Sequence, residues 1–143
     1  MLQEAENAFR DGMYDEAIKQ FRAAYTQGKM DAGEFKEPLE PFAIQAMFRA
    51  ADVLYTMLER SGAKNHHRSI DAFKTAVRIV EKNLYSEAKE ERSSLQAFIP
   101  HAKFRIARSY QKMQFHSEAS QYFEQLSQQF PNSMEAVEAI FWK

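Results

Sequence analysis

Histidines are the first residues of this sequence to weigh for chemistry, because they bind metals and transfer protons. His66 and His67 are adjacent, so their rings point apart and do not form the two-ligand face that a zinc site needs. We therefore interpret the pair as part of a surface loop. His101 and His116 lie on different predicted helices with no carboxylate pattern nearby. This favours a place in a surface groove or in the packing between helices over a catalytic role.

Three other patterns that could indicate catalysis are incomplete. Gly28 and Gly33 have the spacing of a phosphate-binding loop, but Glu-Phe at 34–35 replaces the lysine and hydroxyl residue that would hold phosphate and magnesium. No serine lies in a Gly-x-Ser-x-Gly turn. The acidic residues of EAKEER (87–92) are interleaved with basic ones, as in a solvated helix. The sequence predicts no enzyme, no cofactor and no metal site.

A basic stripe is the most informative charged pattern. Arg105, Arg108 and Lys112 are spaced i, i+3, i+7, which puts them near one helix face, with His101 and Phe104 beside them. Such a stripe can pair with the carboxylates of a partner. Alternatively, long basic side chains simply solvate an exposed helix face, and the sequence leaves both interpretations open.

Bulk composition narrows the classes of function. The 143-residue chain is 45% hydrophobic and 27% charged, with a net charge of −1, and a chain of this size buries about 70% of its unfolded surface. The near-neutral charge argues against nucleic-acid binding. No run of about 18 apolar residues is present, so no membrane insertion is predicted. Without cysteine there are no disulfides or thiolate metal sites.

Apolar residues recur at three- or four-residue spacing nearly everywhere, which predicts an all-α fold without strands. Helices are predicted over about 2–10, 14–26, 42–60, 68–84, 95–113 and 117–130, with a seventh from 133. SEAKEERSS (86–94) is interpreted as a solvated helix end and turn. Pro100 either opens the fifth helix at its first turn or kinks it, because proline lacks an amide hydrogen. Asn132 or Ser133 caps the seventh.

Two segments of the chain repeat each other. Their matching positions are Ala5 with Ala107, Ala17 with Ala119, Phe21 with Phe123 and Ala24 with Leu126. Small residues at such positions let two helices cross closely, and aromatic residues fill the adjacent gaps. A strict 34-residue period does not fit the middle of the chain, because it needs a break within 74–80, where the helical pattern is uninterrupted.

These residues resemble the tetratricopeptide repeat (TPR). Its pattern has a small residue on the first helix, Gly-x-Tyr at the turn, Ala-x-x-x-aromatic-x-x-Ala on the second helix and a closing proline. The early unit matches at Ala5, Gly12, Tyr14, Ala17, Phe21 and Ala24. The later unit matches at Ala107, Tyr110, Ala119, Phe123 and Pro131, with Gln114 in place of glycine and His116 in place of tyrosine.

The resemblance implies a right-handed stack of antiparallel helical hairpins, in which each hairpin covers its neighbour's apolar face. We expect one domain over 1–143, with hairpins at about 1–27, 41–92 and 95–131 and the start of a further helix at 133–143. The alternative fold is a non-repeating helical bundle. It applies most to the middle hairpin, which matches the repeat pattern less well than the two outer hairpins do.

The closing stretch FPNSMEAVEAIFW (130–142) resembles repeats of bacterial cell-envelope TPR proteins, namely outer-membrane-assembly lipoproteins and the Tol–Pal coordinator. That resemblance implies a periplasmic or envelope location rather than a cytoplasmic one, and a fragment of a longer protein. Ile140, Phe141 and Trp142 would then form an open-end contact, where uncovered apolar side chains favour self-association.

The TPR resemblance implies a function as well: a non-catalytic scaffold that binds a peptide or protein in a concave groove lined by the first helix of each hairpin. The residues it places there are Gln3, Glu6, Phe9, Arg10, Gln45, Phe48, Arg49, Asp52, Tyr55, His101, Phe104, Arg105, Arg108, Gln111 and Lys112. The alternative function is structural, in which the module stacks on itself or on neighbouring domains and has no separate ligand.

Overall fold

The computed structural model describes residues 2–26, 30–31, 34–35, 41–82 and 89–142. Within these ranges the helices are α1 (Leu2–Arg10), α2 (Tyr14–Thr26), α3 (Pro41–Arg60), α4 (His67–Glu81), α5 (Lys89–Lys112), α6 (His116–Gln129) and α7 (Met134–Trp142). The all-α prediction is confirmed. Gly28, Gly33 and the side chains of Ile140, Phe141 and Trp142 lie outside the described residues.

One short β-ladder corrects the prediction that the chain has no strands. Between α2 and α3, β1 (Met30–Asp31) pairs antiparallel with β2 (Glu34–Phe35), so that Met30 lies opposite Phe35. Strands of two residues are too short to produce an alternating hydrophobic pattern or to form a layer with its own core. The ladder is therefore a local feature of this connection, and the fold remains all-α.

Helix packing defines a stack of hairpins. Each helix contacts the next one along the chain, and the first helices of successive hairpins also meet, α3 with α5 and α5 with α7. The buried apolar residues form three clusters: one joins α1, α2 and α3, the second joins α3, α4 and α5, and the third joins α5, α6 and α7. Each cluster contains one hairpin and the first helix of the next, as expected when hairpins cover one another.

The turns inside the three hairpins share one backbone geometry. Gly12, Gly62 and Gln114 are left-handed, with φ of 80°, 69° and 65°. The residue after each of them donates its amide to the carbonyl five residues earlier: Met13 to Ala8 (2.8 Å), Ala63 to Leu58 (3.0 Å) and Phe115 to Tyr110 (2.8 Å). This is the Schellman ending, which satisfies helix-end carbonyls while the chain reverses. The middle hairpin thus turns as the two outer hairpins do.

Replacing Gln114 with glycine is expected to raise the free energy of unfolding by about 0.5–1 kcal/mol. A left-handed conformation costs an L-residue roughly 1–2 kcal/mol, which glycine avoids, and glycine's larger unfolded-state entropy offsets part of the gain. Urea denaturation measures the change. Gln121→Gly, at an exposed position within α6, is the matched control and should cost about 1 kcal/mol. A loss at both positions would contradict the turn geometry.

Helix α5 begins at Lys89, six residues earlier than Leu95, and it contains Pro100 in its interior. The interpretation of 86–94 as a helix end and turn is therefore wrong from Lys89 onward, as is the alternative in which Pro100 opens the helix. The prediction failed because residues 89–94 are all polar, so they show no apolar residues at helical spacing. They form a helix because Lys, Glu and Arg are strong helix formers.

The start of α7 resolves the two proposed caps in favour of Ser133. Its Oγ accepts a hydrogen bond from the amide of Ala136 at 3.0 Å and donates one to the carbonyl of Phe130 at 2.8 Å. A serine that accepts from the third residue of the following helix satisfies one of the amides that the helix leaves unpaired. Ser133 thereby joins the ends of α6 and α7.

Candidate partner-binding groove

A chain of ionic hydrogen bonds crosses the first helices of the three hairpins. Arg49 on α3 donates to both carboxylate oxygens of Glu6 on α1, with Nη2–Oε1 at 2.7 Å and Nε–Oε2 at 2.9 Å. Its Nη1 donates to Oδ2 of Asp52 at 2.8 Å. His101 on α5 places Nε2 2.6 Å from Oδ1 of the same Asp52. Four charged or ionisable side chains thus connect α1, α3 and α5.

Arg49 is the centre of this network and remains charged. Partial burial acts to lower the pKa of its guanidinium, but the hydrogen bond to Glu6 and the charge of Asp52 outweigh burial, so the pKa is raised. The two parallel bonds to Glu6 are the bidentate geometry in which arginine binds carboxylates most strongly. The guanidinium also lies 5.2 Å from the centre of the Phe9 ring.

A second set of contacts links α5 to α3 further along the helices. The Arg105 guanidinium lies 4.5 Å from the centre of the Tyr55 ring, and Lys112 Nζ lies 3.2 Å from a Glu59 oxygen. Partial burial acts to raise the pKa of Glu59, but the hydrogen bond and charge of Lys112 outweigh it, and the pKa is lowered. Arg108 hydrogen-bonds Gln111 on its own helix.

The basic stripe therefore has a role that neither sequence-based interpretation included. Arg105 and Lys112 hold α5 against α3, so they are already engaged within the protein and do not simply solvate an exposed face. Arg105 and Arg108 are half-buried. Any partner carboxylate would compete with these internal contacts, or would use the donor groups that they leave over.

Three of the residues that were predicted to line the groove are buried, so the prediction is wrong for these three. Phe48 and Tyr55 are 0% and 1% exposed, and Phe104 is 8% exposed. Phe48 stacks on Phe98, with ring centres 5.0 Å apart and planes inclined by 13°. On a helix, neighbouring positions differ by about 100° in direction, so some residues of a groove-lining helix point into the core. These three rings lie beneath the surface instead of lining it.

Two adjacent cavities lie along the inner helices. The first has a volume of about 370 Å³ and is lined by Glu6, Phe9, Arg10, Tyr14, Arg49, Thr56 and Arg60. The second has a volume of about 330 Å³ and is lined by Arg49, Asp52, Ala97, Phe98 and His101. Arg49 lines both, so the ionic network separates the two. Both volumes fall within the range of ligand-binding pockets. We refer to the two cavities together as the groove.

Only part of the lining of these two cavities was expected from the sequence. The residues that were placed in a groove from the sequence and that line these cavities are Glu6, Phe9, Arg10, Arg49, Asp52 and His101. The lining residues that were not expected are Tyr14, Thr56, Arg60, Ala97 and Phe98. Two of them could have been predicted from the sequence. Thr56 and Arg60 follow Asp52 at four-residue spacing, which places all three along one face of α3.

His66 corrects the interpretation of the histidine pair as a surface loop. Its side chain is buried, with the residue 1% exposed, whereas His67 is exposed. Nε2 of His66 lies 3.0 Å from the carbonyl of Ala63, and Nδ1 is buried without a hydrogen-bond partner among the described residues. Burial lowers the pKa of His66, so the neutral ring donates from Nε2 to Ala63. His66 packs at the start of α4.

Within 2–26, 30–31, 34–35, 41–82 and 89–142, no three His, Asp or Glu residues gather in a way that could hold a metal ion. In the same ranges no helix is both long and apolar enough to cross a membrane.

The fold and the groove define a helical-hairpin repeat protein in which the first helices of the hairpins line two adjacent cavities. A family model described as the tetratricopeptide repeat matches residues 101–133, which extend from His101 in α5 through α6 to Ser133. TPR repeats generally mediate protein–protein interactions and typically serve as non-catalytic scaffolds. Comparison with curated proteins and with solved structures found no match.

Proposed function

We propose that this chain is a non-catalytic scaffold that binds a peptide segment of a partner protein in the groove. The observation that supports it is the pair of adjacent cavities, of about 370 Å³ and 330 Å³, both of which are lined by Arg49. Because the ionic network already holds Arg49, Asp52 and His101 in place, binding requires little ordering of these side chains. Preorganisation of this kind raises affinity by lowering the entropy cost.

The lining of the first cavity suits a peptide that carries both carboxylates and an apolar side chain. Arg10 is 73% exposed at its side chain, and the exposed Arg60 lies over the Tyr14 ring at 6.0 Å. Glu6 is the one carboxylate among the described lining residues, and it is bonded to Arg49. A partner's carboxylate can therefore pair with Arg60, and also with Arg10, where it would compete with the exposed neighbour Asp11, whose Oδ1 lies 3.8 Å from Arg10 Nε. Phe9 and Tyr14 offer apolar surface.

A peptide library tests the proposal. Sequences selected for binding should be enriched in Asp and Glu, and in amide chemical-shift mapping they should perturb α1 and α3. Arg60→Glu should weaken the best peptide at least about tenfold, since one charge-assisted contact is lost and a repulsive charge is gained. Lys64→Glu, an equal charge change on the exposed α3–α4 turn, is the control. Equal affinity for both variants would count against the groove.

Stacking through the last helix is the second candidate function. Met134 and Val137, three residues apart on α7, are 78% and 57% exposed, and exposed apolar pairs of this kind favour association. Sedimentation velocity separates the two candidates. A monomer that binds the selected peptides favours the groove, whereas a concentration-dependent oligomer that Val137→Glu dissociates favours stacking.

We also propose a bacterial envelope location. It rests on the resemblance of FPNSMEAVEAIFW (130–142) to the repeats of envelope TPR proteins. A signal peptide in the reading frame that encodes this chain would support the location, and a complete frame without an export signal would contradict it.

A further inference from the structure

A third cavity lies on the other side of α5 from the groove. It has a volume of about 190 Å³ and is lined by residues of α4, α5 and α6, among them Lys74, Arg78, Glu81, Lys103, Tyr122 and Gln125. Lys103 lies two positions from both His101 and Arg105, and two positions turn a helix by about 200°. Lys103 therefore points to a different side of α5 from His101 and Arg105, and this cavity and the groove have no lining residue in common.

Lys103 is a buried cation in this cavity, and its one ion pair among the described residues is long and reaches an exposed carboxylate. The residue is 6% exposed, and its Nζ donates to the side-chain oxygens of Gln129 at 2.8 Å and Gln125 at 3.3 Å. Glu81 lies 3.9 Å away, and 54% of its side chain is exposed. Lysine is rarely this buried unless it is paired. Here the two closest partners of Nζ are neutral amide oxygens, and the carboxylate of Glu81 lies further away and is partly screened by water.

Two further cations of α4 line the same cavity. Lys74 Nζ donates to the Tyr110 hydroxyl at 2.7 Å and lies 5.8 Å from the centre of the Tyr122 ring. Partial burial acts to lower the pKa of Lys74, but the hydrogen bond to Tyr110 outweighs burial, and the pKa is raised. Arg78 follows one turn later and is exposed. Among the described lining residues, Glu81 is the one carboxylate against these three cations.

We propose that this cavity binds a phosphate-type oxyanion, held by Lys74, Arg78 and Lys103. Its volume equals that of about six water molecules at liquid density, which admits such an ion. Ammonium and guanidinium groups are the donors that bind phosphate oxygens most strongly. Glu81 reaches toward Lys103 from the rim, so the bound anion replaces Glu81 as the negative charge nearest to Lys103.

Titration with inorganic phosphate at pH 7.5 and constant ionic strength, followed by amide chemical shifts, tests the site. We expect saturable shifts in α4, α5 and α6 around the cavity. Arg78→Gln should raise the dissociation constant for phosphate about tenfold, since it removes one charge-assisted contact. Glu81→Gln should lower the dissociation constant several-fold, because the competing carboxylate is gone. Both residues are exposed, so both variants are expected to fold.

Arg68→Gln, an exposed position on the same helix, removes the same charge and should leave phosphate affinity unchanged. Equal weakening by Arg68→Gln and Arg78→Gln, or shifts that rise linearly without saturation, would overturn the site and indicate bulk screening. O-phosphoserine is the second probe. Saturation by both probes assigns the site to phosphate monoesters, and saturation by inorganic phosphate alone assigns it to the free ion. Failure of both overturns the proposal.

Discussion

Phe48→Ala is expected to lower the free energy of unfolding by about 3–5 kcal/mol. The Phe48 ring is fully buried in the cluster that joins α3, α4 and α5, and it stacks on Phe98. Removing it loses apolar burial and leaves a void that close-packed helices cannot fill. Because domains of this kind are stable by only about 5–15 kcal/mol in total, the variant should unfold at a much lower urea concentration.

The matched control for Phe48→Ala is Phe42→Ala on the same helix. Phe42 is 42% exposed, so its replacement should cost less than about 1 kcal/mol. Urea denaturation followed by circular dichroism measures both variants. If Phe48→Ala were as mild as Phe42→Ala, Phe48 would belong to the groove surface, where the TPR resemblance placed it, and its burial in the core would be contradicted.

Helices could be predicted from the sequence wherever an amphipathic period exists. The predicted bounds of α1 and α2 coincide with Leu2–Arg10 and Tyr14–Thr26, because Gly12 ends one helix and both helices carry an apolar stripe. The start of α5 could not be predicted, since residues 89–94 are polar and carry no such stripe. Periodicity detects burial, and a solvated helical segment leaves no trace in it.

The resemblance placed a hairpin at about 41–92, but the turn geometry that this hairpin shares with the outer two was visible only in the structure. Its helices do not fit the strict repeat period, yet Gly62 adopts the same left-handed conformation as Gly12 and Gln114. A resemblance read from residue types depends on spacing, whereas the turn depends on φ and ψ and on two hydrogen bonds. At Gln114, the same turn forms without the glycine that the repeat pattern prefers.

The candidate site could be predicted helix by helix but not contact by contact. The TPR resemblance placed Arg49 and Asp52 together on α3, where their three-residue spacing makes them neighbours on the helix surface. The bonds of Arg49 to Glu6 and of Asp52 to His101 span 43 and 49 residues. These contacts depend on how far neighbouring hairpins are shifted and rotated in the stack, and no local pattern records that quantity. His66 was misjudged for the same reason.

Asp52→Ala is expected to lower the free energy of unfolding by about 2–3 kcal/mol. The Asp52 carboxylate is 8% exposed and accepts from both Arg49 and His101. Removing one member of a buried ionic network costs about 3–5 kcal/mol. The estimate is reduced here because Arg49 and His101 keep 27% and 30% of their side-chain exposure and water compensates part of the loss. Asp71→Ala, exposed on α4, is the control and should stay within about 0.5 kcal/mol.

A double-mutant cycle distinguishes an ionic network from independent burial. If Asp52 and Arg49 act through their bond at 2.8 Å, Asp52→Ala combined with Arg49→Met should destabilise less than the sum of the single variants, by about 1 kcal/mol or more. Additive losses would contradict the network. Because Asp52 connects α3 to α5, Asp52→Ala should also weaken the selected groove peptides. Peptide affinity equal to that of the unmodified chain would show that the groove does not depend on this bond.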